Sequence, residues 1–184
     1  MSEKHLIWQY GAIRCADRER LNGYYFVVVW FTGLSGAGKS TLAHAVEQAL
    51  YEQHILCLEL DGDNIRHGLC SDLGFSPNHR RENLRRVSEA AKLAREASMV
   101  TLGAFISPIQ ADCEMVREII GDEYLIEVYV RCSLAICEAR DVKGIYRKAR
   151  AGEVQEFTGV SAPYEAPESA DIILDTDRDS KQPA

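Results

Sequence analysis

The stretch Gly33, Leu34, Ser35, Gly36, Ala37, Gly38, Lys39, Ser40, Thr41 fits the spacing G-x-x-x-x-G-K-[ST], a pattern that cradles phosphate when it follows a strand and opens a helix. The residue types explain why. Glycines let the backbone curl so that amide N–H groups and a helix N-terminus face an anion. Lys39 could then reach the β- and γ-phosphates of a nucleoside triphosphate, and the Ser40 hydroxyl could ligate Mg2+. The bland alternative is a glycine-rich turn that only joins a strand to a helix.

A phosphate loop names the donor and not the reaction. No N-K-x-D guanine motif occurs and no D-x-x-G follows a strand, which argues against a GTPase-like switch. The run Leu60-Asp61-Gly62-Asp63-Asn64 puts two carboxylates where a neighbouring strand end can face the loop. One could hold Mg2+ and the other accept the proton of an attacking hydroxyl, the division of labour that phosphoryl transfer requires. An Asp-Gly turn with exposed acids is the plain alternative.

Cations mark where the acceptor could sit. Arg80, Arg81, Arg85 and Arg86 fall in the first turns of a helix, where cations oppose the dipole by about 0.3 to 1 kcal/mol each. Arg66 with Arg80 would give two guanidinium forks for a phosphate-like substrate, while Arg81, Arg85 and Arg86 could simply form a solvated face. Ser107 follows a strand and precedes Pro108, as ligand or as turn residue. The segment 140–150 holds Arg140, Lys143, Arg147, Lys148 and Arg150 against one acid, a local charge of +4. It reads as a mobile cationic lid that would exclude water and neutralise transition-state charge, or as a charged helix face.

These residues need a scaffold, and short apolar runs alternating with helical patterns supply one. Phe26–Thr32, Ile55–Leu60, Met99–Ile106, Leu125–Arg131 and Asp171–Leu174 read as strands, near-continuously apolar as in a parallel sheet covered on both faces. Residues 39–53 and 80–97 carry apolar positions at helical spacing. The expectation is an α/β three-layer fold with a parallel sheet and ligands at the strand carboxyl ends. Residues 1–25 read as a weakly amphipathic prelude and 176–184 as a polar tail.

The chain has 184 residues, 46% of them hydrophobic, enough for one self-sufficient core. Its 21 Lys plus Arg against 28 Asp plus Glu give a net charge of -7, which argues against coating a nucleic acid. Any phosphate site must be local. No apolar run approaches the roughly 20 residues of a membrane span and no signal peptide is visible. Six scattered cysteines without a C-x-x-C pair read as reduced thiols of a cytosolic protein.

The strings GLSGAGKST, LDGDNIRHGL, DLGFS, RRENLRRV, FISP, ICEARDVKGIYRKARAGEVQEFTG and YEAPESAD together resemble the adenylylsulfate kinase family, over about residues 26 to 175. That resemblance implies a nucleotide-kinase-like P-loop fold and ATP- and Mg2+-dependent phosphorylation of the 3′-hydroxyl of adenosine 5′-phosphosulfate (APS). The product, 3′-phosphoadenylylsulfate, serves sulfate assimilation. By position, Gly33 to Thr41 would hold ATP, with Arg140 against its base. Ser40 and Asp61 would serve the metal, and Lys39, Asp61, Asp63, Ser107 and Lys143 the chemistry. Arg66, Arg80 and Asn83 would bind the phosphosulfate nucleotide; Phe75 and Phe157 would clamp its adenine. Ile106 and Ser107 would line the same pocket, and Lys143 would close over it. A cytoplasmic homodimer is implied as well.

The family's FISP serine is described as a phosphoserine intermediate, a label Ser107 inherits. Direct in-line attack by the substrate hydroxyl is chemically sufficient, so Ser107 is expected to position the acceptor. Two departures stand out. Val142 occupies the place of the family's D-P-K-G proline, freeing a φ that proline would fix. Relatives also continue past the last strand into another helix, so an exposed edge strand or apolar face is expected here. Two other readings remain: a gluconate- or shikimate-type kinase, and a nucleotide-binding module without turnover.

Overall fold

The computed structural model describes residues 6–7 and 9–177. Five strands, β1 (Val28–Thr32), β2 (Cys57–Asp61), β3 (Val100–Phe105), β4 (Leu125–Arg131) and β5 (Ile172–Asp175), form one parallel sheet in the order β2-β3-β1-β4-β5. Each lies within a residue or two of its expected run. The helices are α1 (Cys15–Asn22), α2 (Lys39–Glu52), α3 (Pro77–Glu96), α4 (Gln110–Ile120), α5 (Leu134–Arg140) and α6 (Ile145–Arg150).

Helices cover both faces, which is why the central strands carry so few polar residues. Ala43 of α2, Cys137 of α5, and Tyr146 and Ala149 of α6 pack with Phe31, Leu102 and Val130 on one side. Leu84, Val87 and Ala91 of α3, with Val116 and Ile120 of α4, pack against Val28 and Trp30 on the other. Fully burying each large apolar side chain contributes about 1.5 to 3 kcal/mol. The three-layer α/β architecture expected from the alternation is the one observed.

Local signals set the helix starts. Ser76 caps α3, its hydroxyl accepting from the His79 amide at 3.4 Å, and Pro77 occupies the first turn, where a missing N–H costs nothing. α1 has no buried residues. It is tethered by Arg18 donating to the Glu96 carbonyl and by the Phe26 amide donating to Glu19 Oε1, contacts that its weak periodicity does not announce. β5 forms a sheet edge with Ile172, Ile173 and Leu174 exposed.

Register aligns the functional ends. Thr32 lies beside Phe105 and Tyr129, and Asp61 beside Ala104. The segments that follow β1, β2, β3 and β4 therefore leave the sheet at one rim, where the candidate residues gather.

Candidate active site

The loop from Gly33 to Gly38 leaves β1 at its carboxyl end and feeds α2. Gly33 is required by a close approach: a Cβ there would sit 2.5 Å from the Val130 carbonyl, at a φ of +149°. Lys39 is buried, and its ammonium donates back to the Leu34 carbonyl at 2.8 Å. Burial draws it down from its ordinary value of 10.5 to about 8, because desolvation penalises the charged form. Thr41 is exposed on the first turn of α2.

Ser40 Oγ donates to Asp61 Oδ2 at 2.7 Å, joining the start of α2 to the end of β2. Asp61 Oδ1 accepts the Asp63 amide at 2.8 Å and the Asn64 amide at 3.4 Å. Partial burial pushes this carboxyl up, but these hydrogen bonds to its anion outweigh that, and it rests below its ordinary value. Asp63 faces the Lys143 ammonium from the segment between α5 and α6. A hydroxyl and a carboxylate set side by side are hard oxygen donors of the kind Mg2+ prefers, so the residues present fit that ion.

The acceptor side is more tightly tied than two free guanidinium forks would be. Arg66 donates to the Leu73 and Gly74 carbonyls at 3.2 and 3.0 Å and to Asn83 Oδ1 at 3.4 Å, and it lies 4.4 Å over the Phe75 ring. Asn83 is buried, and its Nδ2 has no hydrogen-bond partner among the described residues. Arg80 donates to the Phe75 carbonyl, to Thr158 Oγ1 at 2.6 Å and to the Glu156 carbonyl. It thereby links the loop carrying Phe75 to the loop carrying Phe157.

The two aromatics are not equivalent. Phe75 is 63% exposed, whereas Phe157 is 8% exposed and meets Tyr146 edge-on at 5.0 Å. Arg81, Arg85 and Arg86 do not gather around a common anion site. Arg81 pairs with Asp112, Arg85 with Glu82, and Arg86 with Glu82 and Asp72, so the helix-face alternative describes them.

The segment expected as a lid is tied to its neighbours by hydrogen bonds. Both carboxylate oxygens of Asp141 accept amides of α6, from Tyr146 at 3.0 Å and Arg147 at 3.1 Å. Tyr146 OH donates to the Ser35 carbonyl at 2.9 Å, seating α6 on the phosphate loop. Arg140 donates to the Gly36 carbonyl at 3.3 Å and to the Thr176 carbonyl. Thr176 Oγ1 in turn donates to the Ala37 carbonyl at 2.9 Å.

Ile106 is half-buried and Ser107 is 2% exposed. Ser107 Oγ accepts the Trp30 indole N–H at 3.0 Å. Sequence reasoning passed over Trp30, Tyr146, Asp141, Thr158 and Thr176. Two of these sit in apolar strand or helix positions, and nothing in a linear pattern shows that a core aromatic spends its polar atom on the site.

A family model described as adenylylsulphate kinase matches residues 26–175. The adenylyl-sulfate kinase of Enterobacter sp. (strain 638) is 57% identical over 173 residues, covering 94% of this chain and 86% of that protein. The adenylyl-sulfate kinase of Acaryochloris marina is 52% identical over 180 residues, covering 98% and 88%. Among solved structures, the Mycobacterium tuberculosis APS kinase CysC in complex with AMPPNP and APS is 46% identical, with a TM-score of 0.81 over 84% of this chain and 90% of that one. A match across most of the chain at such identities means that this protein belongs to the adenylylsulfate kinase family.

Proposed function

We propose that this chain transfers the terminal phosphoryl group of ATP to the 3′-hydroxyl of adenosine 5′-phosphosulfate, giving 3′-phosphoadenylylsulfate for sulfate assimilation. The observation that carries the reading is the 2.7 Å contact between Ser40 Oγ and Asp61 Oδ2, which joins the phosphate loop to the acid-bearing strand. Donor and acceptor chemistry meet there.

The amides of residues 33–41 would hold ATP, with Lys39 turning from the Leu34 carbonyl toward its phosphates and Arg140 near its base. Ser40 and Asp61 would hold Mg2+, which when bound would supply positive charge against the transferring phosphate. Asp63 takes the proton of the attacking hydroxyl, and Lys143 beside it supplies positive charge as the phosphoryl group moves. Arg66 and the unpartnered Asn83 amide meet the anionic groups of APS, because a buried donor without an acceptor costs about 1 to 3 kcal/mol until one arrives. Phe75 and Phe157 hold its adenine, with Arg80 fixing their two loops, and Ile106 and Ser107 wall the pocket. Residues 26–175 are the catalytic unit.

No helix among the described residues is long and apolar enough to cross a membrane, and we place the protein in the cytoplasm as a homodimer. Product identification tests the reading: purified protein with ATP and Mg2+ is offered APS, gluconate or shikimate. ADP with a 3′-phosphorylated product from APS alone supports it. Phosphorylation of either other acceptor, or no product from folded protein, removes it.

A further inference from the structure

The indole of Trp30 is built into the acceptor corner. Nε1 donates to Ser107 Oγ at 3.0 Å, with the two residues only 1% and 2% exposed. Trp30 lies beside Gly103 in the sheet register, and a Cβ on Gly103 would fall 2.8 Å from the indole ring. Glycine at this position leaves the ring room on that face of β3, where it stacks on Phe105 with centroids 4.7 Å apart and planes 24° apart. A central strand otherwise gains nothing from glycine, which packs poorly there.

The corner that this ring reaches is strained. Ser107 has a φ of +42°, a conformation that costs a non-glycine residue on the order of 1 to 3 kcal/mol and persists only where the surroundings impose it. The surroundings here are three hydrogen bonds. Besides the indole, Thr32 Oγ1 donates to the Ile106 carbonyl at 2.8 Å, and Cys113 Sγ donates to the Ser107 carbonyl at 3.6 Å. Two of the three come from β1, the strand that launches the phosphate loop. The same stretch of β3 touches the acids: Ala104 lies beside Asp61, and its carbonyl accepts the Gly62 amide at 3.1 Å.

We propose that Trp30 is a positioning residue for the acceptor side of the site. Its N–H occupies a lone pair of the Ser107 hydroxyl and pins the Ile106–Ser107 corner in register with Asp61. The inference rests on the kinase reading above and adds a residue to it. With one lone pair of its oxygen engaged, the buried Ser107 hydroxyl keeps its proton and a second lone pair, and the indole fixes the direction in which they face the corner. A phosphoserine there would displace the indole and bury a multiply charged group beside an aromatic stack, which desolvation opposes strongly.

Wild-type turnover with ATP, Mg2+ and APS is measured first, so that failure of the kinase reading is seen separately. Trp30→Phe then keeps an aromatic ring for the stack and removes the N–H. The expected result is a KM for APS raised about three- to tenfold, the reach of one net hydrogen bond, with the KM for ATP nearly unchanged. Ser107→Ala should shift the same constant at least as far, because it removes the hydroxyl itself, and the double variant should lose no more than Ser107→Ala alone, since the bond that Trp30→Phe breaks is already gone there. A parallel rise in both KM values, an unchanged KM for APS, or additive losses would each overturn the proposal. Should Trp30→Phe fail to fold, the wild-type indole N–H resonance of Trp30 must still move on addition of APS and stay put with AMPPNP alone. A silent resonance, or wild-type Ser107 labelled by γ-phosphoryl-labelled ATP, refutes it equally.

Discussion

Ser40 and Asp61 are 21 residues apart in sequence and share a hydrogen bond of 2.7 Å. The parallel order β2-β3-β1 brings this about: the loop after β1 and the carboxyl end of β2 reach the same rim with one strand between them. Substituting either residue separates two effects. Asp61→Asn and Ser40→Ala should each lower the melting temperature only modestly, by the loss of one charge-assisted hydrogen bond, while turnover falls by several kcal/mol of transition-state stabilisation, and the Mg2+ concentration for half-maximal rate should climb. Activity that needs no more Mg2+ than the wild type would remove the metal role.

Lys39 should make nucleotide binding pH-dependent. Its folded value of about 8 lies below the ordinary 10.5, so between those values the unfolded chain binds more protons than the folded one. This group therefore makes stability rise as pH climbs from about 8 to 10.5, and that gain is absent below about 8. Triphosphate favours the charged ammonium, so ATP affinity should fall as pH rises past about 8, and binding at pH values near 8.5 should take up a proton. Calorimetry in two buffers of different ionisation enthalpy reads that uptake directly. Identical apparent enthalpies in both would contradict it.

Lys143 and Asp63 pair at the open side of the site, with side chains 56% and 63% exposed. Ion pairs so exposed contribute about 0 to 1 kcal/mol to folding, so Lys143→Ala and Asp63→Ala should both melt within a few degrees of wild type. Turnover should nonetheless drop sharply in Lys143→Ala and vanish in Asp63→Ala. Stability loss matching the activity loss in either variant would make the pair structural.

Phe75 and Phe157 should respond differently to truncation. Phe75→Ala removes an exposed ring and is expected to raise the KM for APS with little change in melting temperature. Phe157→Ala removes a ring buried against Tyr146, and such losses cost about 3 to 5 kcal/mol, so unfolding should come earlier along with weaker APS binding. Equal effects of the two on stability would mean that the exposure of Phe75 differs in solution.

The linear chain determined the phosphate loop, the acids at the end of β2 and the alternation that builds the sheet. All three depend on neighbours within a few residues: glycine φ freedom, a lysine at fixed offset, apolar runs too long to be half-solvated. Arg66 and Arg80 stood out as paired cations, and only the family resemblance pointed to Asn83 and Ile106; the hydrogen bonds of Arg66, Arg80 and Asn83 were not legible. What the tertiary structure alone decided is how distant segments share atoms. Trp30 reads as strand filler and becomes a donor to Ser107, 77 residues on. Tyr146 reads as part of a basic segment and becomes the seat of α6 on the Ser35 carbonyl, 111 residues away. The Arg85 and Arg86 cluster invited an anion, yet acids three and four residues off or one loop away satisfy it first. Periodicity reports which face of an element is apolar; it carries no record of where the single polar atom on that face finds its partner, because that depends on strand order and register.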